Sequence, residues 1–251
     1  MNFDFSDDQR LLQDEVRKML ADTSTSAEVR KVLEGKAAYS EAVWRNLIDM
    51  GAATAAIPEI YGGAGLGYLE LCLVAEEAGR HLAPAPLSSS FYLATEALLK
   101  GGSEAQKQQW LPRIASGELI ATAVLGANET YLATPALRFD GRMINGRAAA
   151  APDGTVAGLA ILRAGDDLVL VDLASPGVSR KPLSSLDPTR PHAELNFNNT
   201  PAECLQGGRK GADVAVRVLD GAAVLLAFVA VGGAARILDI SRDYSLERKA
   251  F

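Results

Sequence analysis

Cysteine is scarce in this chain, with two in 251 residues. Neither Cys72 nor Cys204 has a Cys or His nearby at metal-ligand spacing, which argues against a zinc site and leaves two free thiols of a reducing cytoplasm as the expectation. Positive charge is also short: 25 Lys and Arg stand against 31 Asp and Glu, for a net charge of -6. Nucleic-acid binding would therefore need a strong local basic patch, and no such run is present, so no nucleic-acid partner is expected. The first residues, MNFDFSDDQRLLQDE, are acidic and lack the charged-then-apolar order of a signal peptide, and no apolar run there could cross a bilayer. A cytoplasmic protein without a membrane partner is the expectation. Internal repeats and low-complexity tracts are missing as well.

Amphipathic helical periodicity is plentiful over the first half. After Ser6, the segment DDQRLLQDEVRKMLAD places Leu11, Leu12, Val16, Met19 and Leu20 on one face, with a serine and two aspartates as a helix-start signal. Helical patterns follow in AEVRKVLEG, in SEAVWRNLIDMGA after Ser40, in YLELCLVAEEAGRHL, in SSSFYLATEALLKGG, and in SEAQKQQWLPRIASGE after Ser103. The Gly-rich loop IPEIYGGAGLG interrupts them. From Leu119 the texture changes to short runs (LIATAVLGANE, LRFDGRMINGRAAA, TVAGLAILRAG, DLVLVDL, AELNFNN) separated by turn signals, among them Asn145-Gly146 and Gly165-Asp166-Asp167. These predict a compact antiparallel sheet or barrel. Helix returns after Gly207 and Gly208 in a long segment that has no charged residue from Gly221 to Ala235, so it is expected to be covered on every side, by helices beyond Phe251 or by another chain. The expected organisation is thus α+β and multi-domain: a helical domain over 1–118, an antiparallel β domain over 119–206 and the start of a helical bundle over 207–251.

Two motifs carry a specific resemblance. PEIYGGAGLGYLELCLVAEEAGR, from Pro58 to Arg80, and YSLERKAF, from Tyr244 to Phe251, are similar to signatures of the acyl-CoA dehydrogenase family, and SEAQKQQWLPRIASGEL adds a third match. The resemblance implies the same order of helical domain, β domain and four-helix bundle, the last incomplete here. It also implies FAD as cofactor and an acyl-CoA substrate whose α,β bond is desaturated. A carboxylate removes the α proton, the β hydrogen leaves as hydride, and hydrogen bonds to the thioester oxygen acidify the α carbon. By the same resemblance, Arg248 would reach the FAD pyrophosphate of a neighbouring subunit with Phe251 packed beside it, against the alternative of ordinary solvated charge at a helix end. Gly62, Gly63, Gly65 and Gly67 are expected to shape a tight turn that seats the next helix, a lone Gly-rich stretch being weak evidence for phosphate binding.

The departures from the family pattern fall on the cofactor and the base. Val124 and Leu125 occupy the flavin-facing start of the β domain, with Leu125 where the family has a threonine. Ala150 and Pro152 replace the family's Trp-x-Thr, and neither can cover a ring or donate a hydrogen bond. One position of the general base corresponds to Ala222, followed by Ala223; the more common one lies beyond Phe251. Asp220 is the nearest carboxylate, with a solvated helix-flanking charge the simpler reading. SSLDPTRPHAELNF resembles a divergent bacterial group that works as unequal pairs on bulky acyl-CoAs. Arg190 and His192 within it fit a site, although a surface pair before a strand is the simpler expectation. The resemblance implies a dimer or tetramer, either a homo-oligomer or a hetero-oligomer with a second acyl-CoA dehydrogenase-like subunit. A non-catalytic member kept for assembly or ligand binding stays open, and a DNA-binding member of the fold is a remote third reading.

Overall fold

The computed structural model describes residues 4–126 and 137–248. Its N-terminal half holds α1 (Asp7–Thr23), α2 (Ser26–Leu33), α3 (Glu41–Asp49), α4 (Tyr68–Arg80), a π-helical segment (Ser88–Ala94) running into α5 (Thr95–Gly101), and α6 (Glu104–Ala115). The starts follow from capping chemistry. Ser6 and Ser103 form capping boxes with Gln9 and Gln106, and Thr25 and Ser40 each accept from a backbone N–H one turn in. The faces predicted apolar are the buried ones: Val16 and Leu20 of α1 pack with Val43, Trp44 and Leu47 of α3.

Eight strands follow among the described residues: β1 (Ala121–Val124), β2 (Arg138–Phe139), β3 (Met143–Pro152), β4 (Leu159–Ala164), β5 (Asp167–Asp172), β6 (Val178–Leu183), β7 (His192–Pro201) and β8 (Glu203–Cys204). They form two four-stranded sheets, ordered β1-β4-β5-β8 and β2-β3-β7-β6. The expected antiparallel β domain is present, with one exception inside it: β1 pairs with β4 in parallel. LAIL and LVLV in β4 and β5 are continuous apolar runs because that sheet is buried on both faces. Strand β6 escapes sequence patterning: VSRKPL lies at the edge of the second sheet and is largely exposed. Asn145-Gly146 is not the hairpin turn expected. Both residues lie inside β3 at a register irregularity, the Asn145 side chain accepts from the Asn199 N–H, and the chain reverses at Gly141 instead. Gly165-Asp166 does join β4 to β5, with Gly165 in the left-handed region that the tight turn requires.

The last helix, α7 (Gly211–Glu247), is about 55 Å long at ~1.5 Å per residue. Val214, Ala215, Val218, Ala222, Leu225 and Gly232 recur at helical spacing and form its buried side, which packs mainly on α4. Gly79 and Gly232 let the two backbones touch: a methyl carbon on Gly79 would sit 1.9 Å from the Val229 carbonyl oxygen, and one on Gly232 1.8 Å from that of Glu76. Val216, Leu219, Val224, Val231, Ile237 and Leu238 are exposed, since α4, α5 and the π segment reach one side of α7 only. By length and composition α7 could cross a bilayer. Its charge-free stretch from Gly221 to Ala235 is, however, shorter than the ~20 apolar residues of a spanning helix.

Candidate functional site

The Pro58–Arg80 motif turns out to be a packing device. The hydroxyl of buried Tyr61 bonds to Glu104 on α6. A methyl on Gly63 would lie 2.1 Å from the Ile57 carbonyl oxygen, and Gly62 and Gly65 are left-handed. The backbone N–H groups of residues 63–67 all donate to carbonyls of residues 54–58, so the loop holds no free nest for a phosphate and seats α4 instead. On α4, Glu77 is fully buried and accepts from Arg17 Nη2 at 2.7 Å, Arg17 Nε at 3.0 Å and Gln13 Nε2 at 3.1 Å, tying α1 to α4. Arg80 pairs with Asp239 of α7.

The site lies where α4, the π segment, the end of β3, the start of β7 and α7 converge around a cavity of about 240 Å³. Leu87, Leu93, Leu226 and Val229 give it apolar walls. One side is polar. The β3–β7 register pairs Pro152 with His192, and the Asp153 N–H donates to the Pro191 carbonyl at 2.8 Å, so this register draws Asp153, Arg190 and His192 together. Arg190 and His192 are indeed at the surface where β7 begins, Arg190 exposed and facing Asp187 and His192 half-buried, and both also line the mouth of the cavity. Asp153 is 9% exposed, adopts φ 52°, which aspartate tolerates better than most residues, and accepts from Ser89 Oγ at 2.7 Å. Burial pushes its carboxyl pKa up, against the Ser89 hydrogen bond and the His192 and Arg190 charges. Tyr92 completes that wall. Its hydroxyl is buried without a hydrogen-bond partner among the described residues, and burial raises its pKa.

Sequence reasoning missed Asp153, Tyr92 and Ser89. A non-glycine residue forced left-handed after a proline leaves little sequence trace, and a tyrosine on an apolar helix face reads as core. Among the expected site residues, Ala222 is buried and Asp220 is exposed, so neither offers a carboxylate to the cavity, to which α7 contributes Leu226 and Val229 among the described residues. Arg248 caps the C-terminal end of α7 with its guanidinium 5.7 Å from the Tyr244 ring centre and has no ion pair among the described residues. Phe251 lies outside the described residues.

The flavin-facing positions of the β domain fit a flavin poorly. Leu125 is 2% exposed and belongs to the core, so its side chain is turned into the fold; Val124 is half-buried. Ala150 is exposed and lies at a bulge between Ala148 and Ala151, and the Pro152 carbonyl is already taken by Thr122 Oγ1 at 2.6 Å. No ring and no side-chain donor is available at these four positions. Arg248, in contrast, has the exposure and free donors that reaching a pyrophosphate outside its own fold would require.

Residues 6–118 match the family model for the acyl-CoA dehydrogenase N-terminal domain. The chain is 30% identical to the solved Tcur3481–Tcur3483 steroid ACAD, covering 97% of itself and 68% of that chain with a TM-score of 0.84. The chain belongs to the acyl-CoA dehydrogenase family. It is also similar to the ChsE4–ChsE5 complex of Mycobacterium tuberculosis, at 26% identity, TM-score 0.86, and coverage of 100% of this chain and 70% of that one. Acyl-CoA dehydrogenase IpdE2 of Mycobacterium tuberculosis is 28% identical over 98% of the chain and 66% of IpdE2, so this acyl-CoA dehydrogenase homologue spans about two thirds of that relative's length. Two of these relatives are two-component assemblies by name.

Proposed function

We propose that this chain is a divergent subunit of an FAD-dependent acyl-CoA dehydrogenase, an oxidoreductase acting on the CH–CH bond of an acyl-CoA thioester, and that it shares a flavin site with a second, different subunit of the same fold. The observation that carries this reading is the split between the two ends of the cofactor site. Leu125, Ala150 and Pro152 offer a flavin ring neither an aromatic face nor a side-chain donor, whereas Arg248 stands exposed at the end of α7 with no ion pair among the described residues. A partner would hold the ring and cover the exposed side of α7, where Val224, Val231, Ile237 and Leu238 form an apolar stripe larger than scattered surface residues explain. This chain would contribute the apolar cavity for the acyl group and the guanidinium for the pyrophosphate. FAD would supply the hydride acceptor. The carboxylate base is assigned to neither Ala222 nor Asp220.

A non-catalytic subunit is the second reading, favoured by the same Leu125, Ala150 and Pro152. Co-expression with the product of a neighbouring acyl-CoA dehydrogenase-like gene separates them. The first reading expects flavin absorbance at about 450 nm in the co-purified complex and little in the chain alone. A colourless complex refutes it, and a fully flavin-loaded lone chain refutes the shared site.

A further inference from the structure

The polar wall of the cavity asks for a ligand that the apolar walls alone do not. Tyr92 has a buried hydroxyl with no partner among the described residues, although buried hydroxyls in folded proteins are nearly always satisfied. Asp153 Oδ2 accepts from Ser89, while Oδ1 makes no hydrogen bond among the described residues. His192 uses Nδ1 on the Arg190 carbonyl at 2.9 Å, leaving Nε2 without a partner among the described residues. Three segments distant in sequence thus bring unused hydrogen-bonding capacity to one small volume.

We infer that the cavity recognises an acyl group carrying a neutral oxygen substituent, a hydroxyl or ketone, which hydrogen-bonds to Tyr92 and Asp153. This rests on the acyl-CoA reading above and narrows it to a substrate class. A plain hydrocarbon chain would leave both groups unpaired and desolvated when it fills the cavity, which a site built for hydrogen bonding penalises. A neutral oxygen suits both partners, since Tyr92 can donate or accept and a carboxyl with a raised pKa can do either according to pH.

The test uses calorimetric titration of the co-purified complex with octanoyl-CoA and with the set of its monohydroxylated forms, flavin content being scored in the same preparation. At least one hydroxylated thioester should bind about tenfold or more tightly than octanoyl-CoA. Asp153→Asn, which keeps volume and tolerates the left-handed backbone, and Tyr92→Phe, which removes one oxygen, should each erase most of that preference, Tyr92→Phe in part by tightening octanoyl-CoA. Equal affinity across the set in the unmodified complex, or a preference that survives both substitutions, overturns the inference. An equal loss of turnover with every thioester in Asp153→Asn also overturns it, pointing to a role at the reacting carbons. The two readings fail separately: a hydroxyl preference without flavin sinks the dehydrogenase assignment alone, and flavin without preference sinks the substrate class alone.

Discussion

Replacing Gly79 by alanine puts a methyl group at the point where α4 and α7 touch backbone to backbone. That carbon would lie 1.9 Å from the Val229 carbonyl oxygen and 2.7 Å from its carbonyl carbon. To restore ordinary contact the α7 backbone would have to recede by about 1.5 Å, and a backbone carbonyl in a helix cannot rotate away as a side-chain tip can. Overpacking of this kind costs about 1–3 kcal/mol and falls at the upper end when backbone is struck. Alanine returns about 1 kcal/mol through its helix propensity, for a net loss of about 2 kcal/mol. In a chain of this size that corresponds to a fall in Tm of about 4–8 °C. Gly221→Ala is the internal control. It sits in the same α7 with no atom within 4 Å of the added carbon, so propensity acts alone and Tm should rise by about 2–4 °C. Gly232→Ala should lower Tm like Gly79→Ala, and the double variant should cost less than the two losses combined, because one separation of the helices relieves both clashes. Thermal unfolding followed by circular dichroism reads all four. If Gly79→Ala is as stabilising as Gly221→Ala, the close crossing of α4 and α7 does not exist.

Three further outcomes follow from the charges. Glu77→Gln should cost about 2–3 kcal/mol in urea unfolding, less than a fully buried pair because Arg17 retains solvent; an unchanged midpoint would show that the α1–α4 tie contributes nothing. Burial raises the Glu96 pKa despite Lys100, so its folded value lies above the unfolded one, and the stability linked to it is present at acidic pH and lost as pH rises through the folded value. Glu96→Gln should accordingly unfold at higher urea than the parent at neutral pH, with the gain vanishing below the unfolded carboxylate range of about pH 4; a gain that does not vary with pH would contradict this. Arg248→Ala should leave the Tm of the isolated chain unchanged, the side chain being exposed, yet lower flavin occupancy of the co-purified complex. Full occupancy would remove Arg248 from the cofactor site.

Much of the architecture was written locally. Ser6, Ser40 and Ser103 announce their helices because capping is a contact across three residues, and the apolar spacing of α1 and α3 records which side each buries. The family motif at Pro58–Arg80 was equally legible as a string, although its physical content was not. That Glu77 is buried under Arg17, that Gly79 faces Val229, and that the N–H groups of residues 63–67 are spent on residues 54–58 depend on partners that periodicity does not specify. The same holds for the parallel β1–β4 pair and for Asn145-Gly146, whose turn chemistry was overruled by a bulge in β3. The composition of α7 announced its oiliness, but only packing chose which side meets α4 and which stays bare. The candidate site was the least visible part. Tyr92, Asp153, Arg190 and His192 come from three segments, and it took the register of β3 on β7 to set them around one cavity, because strand register is a long-range choice that no single segment encodes.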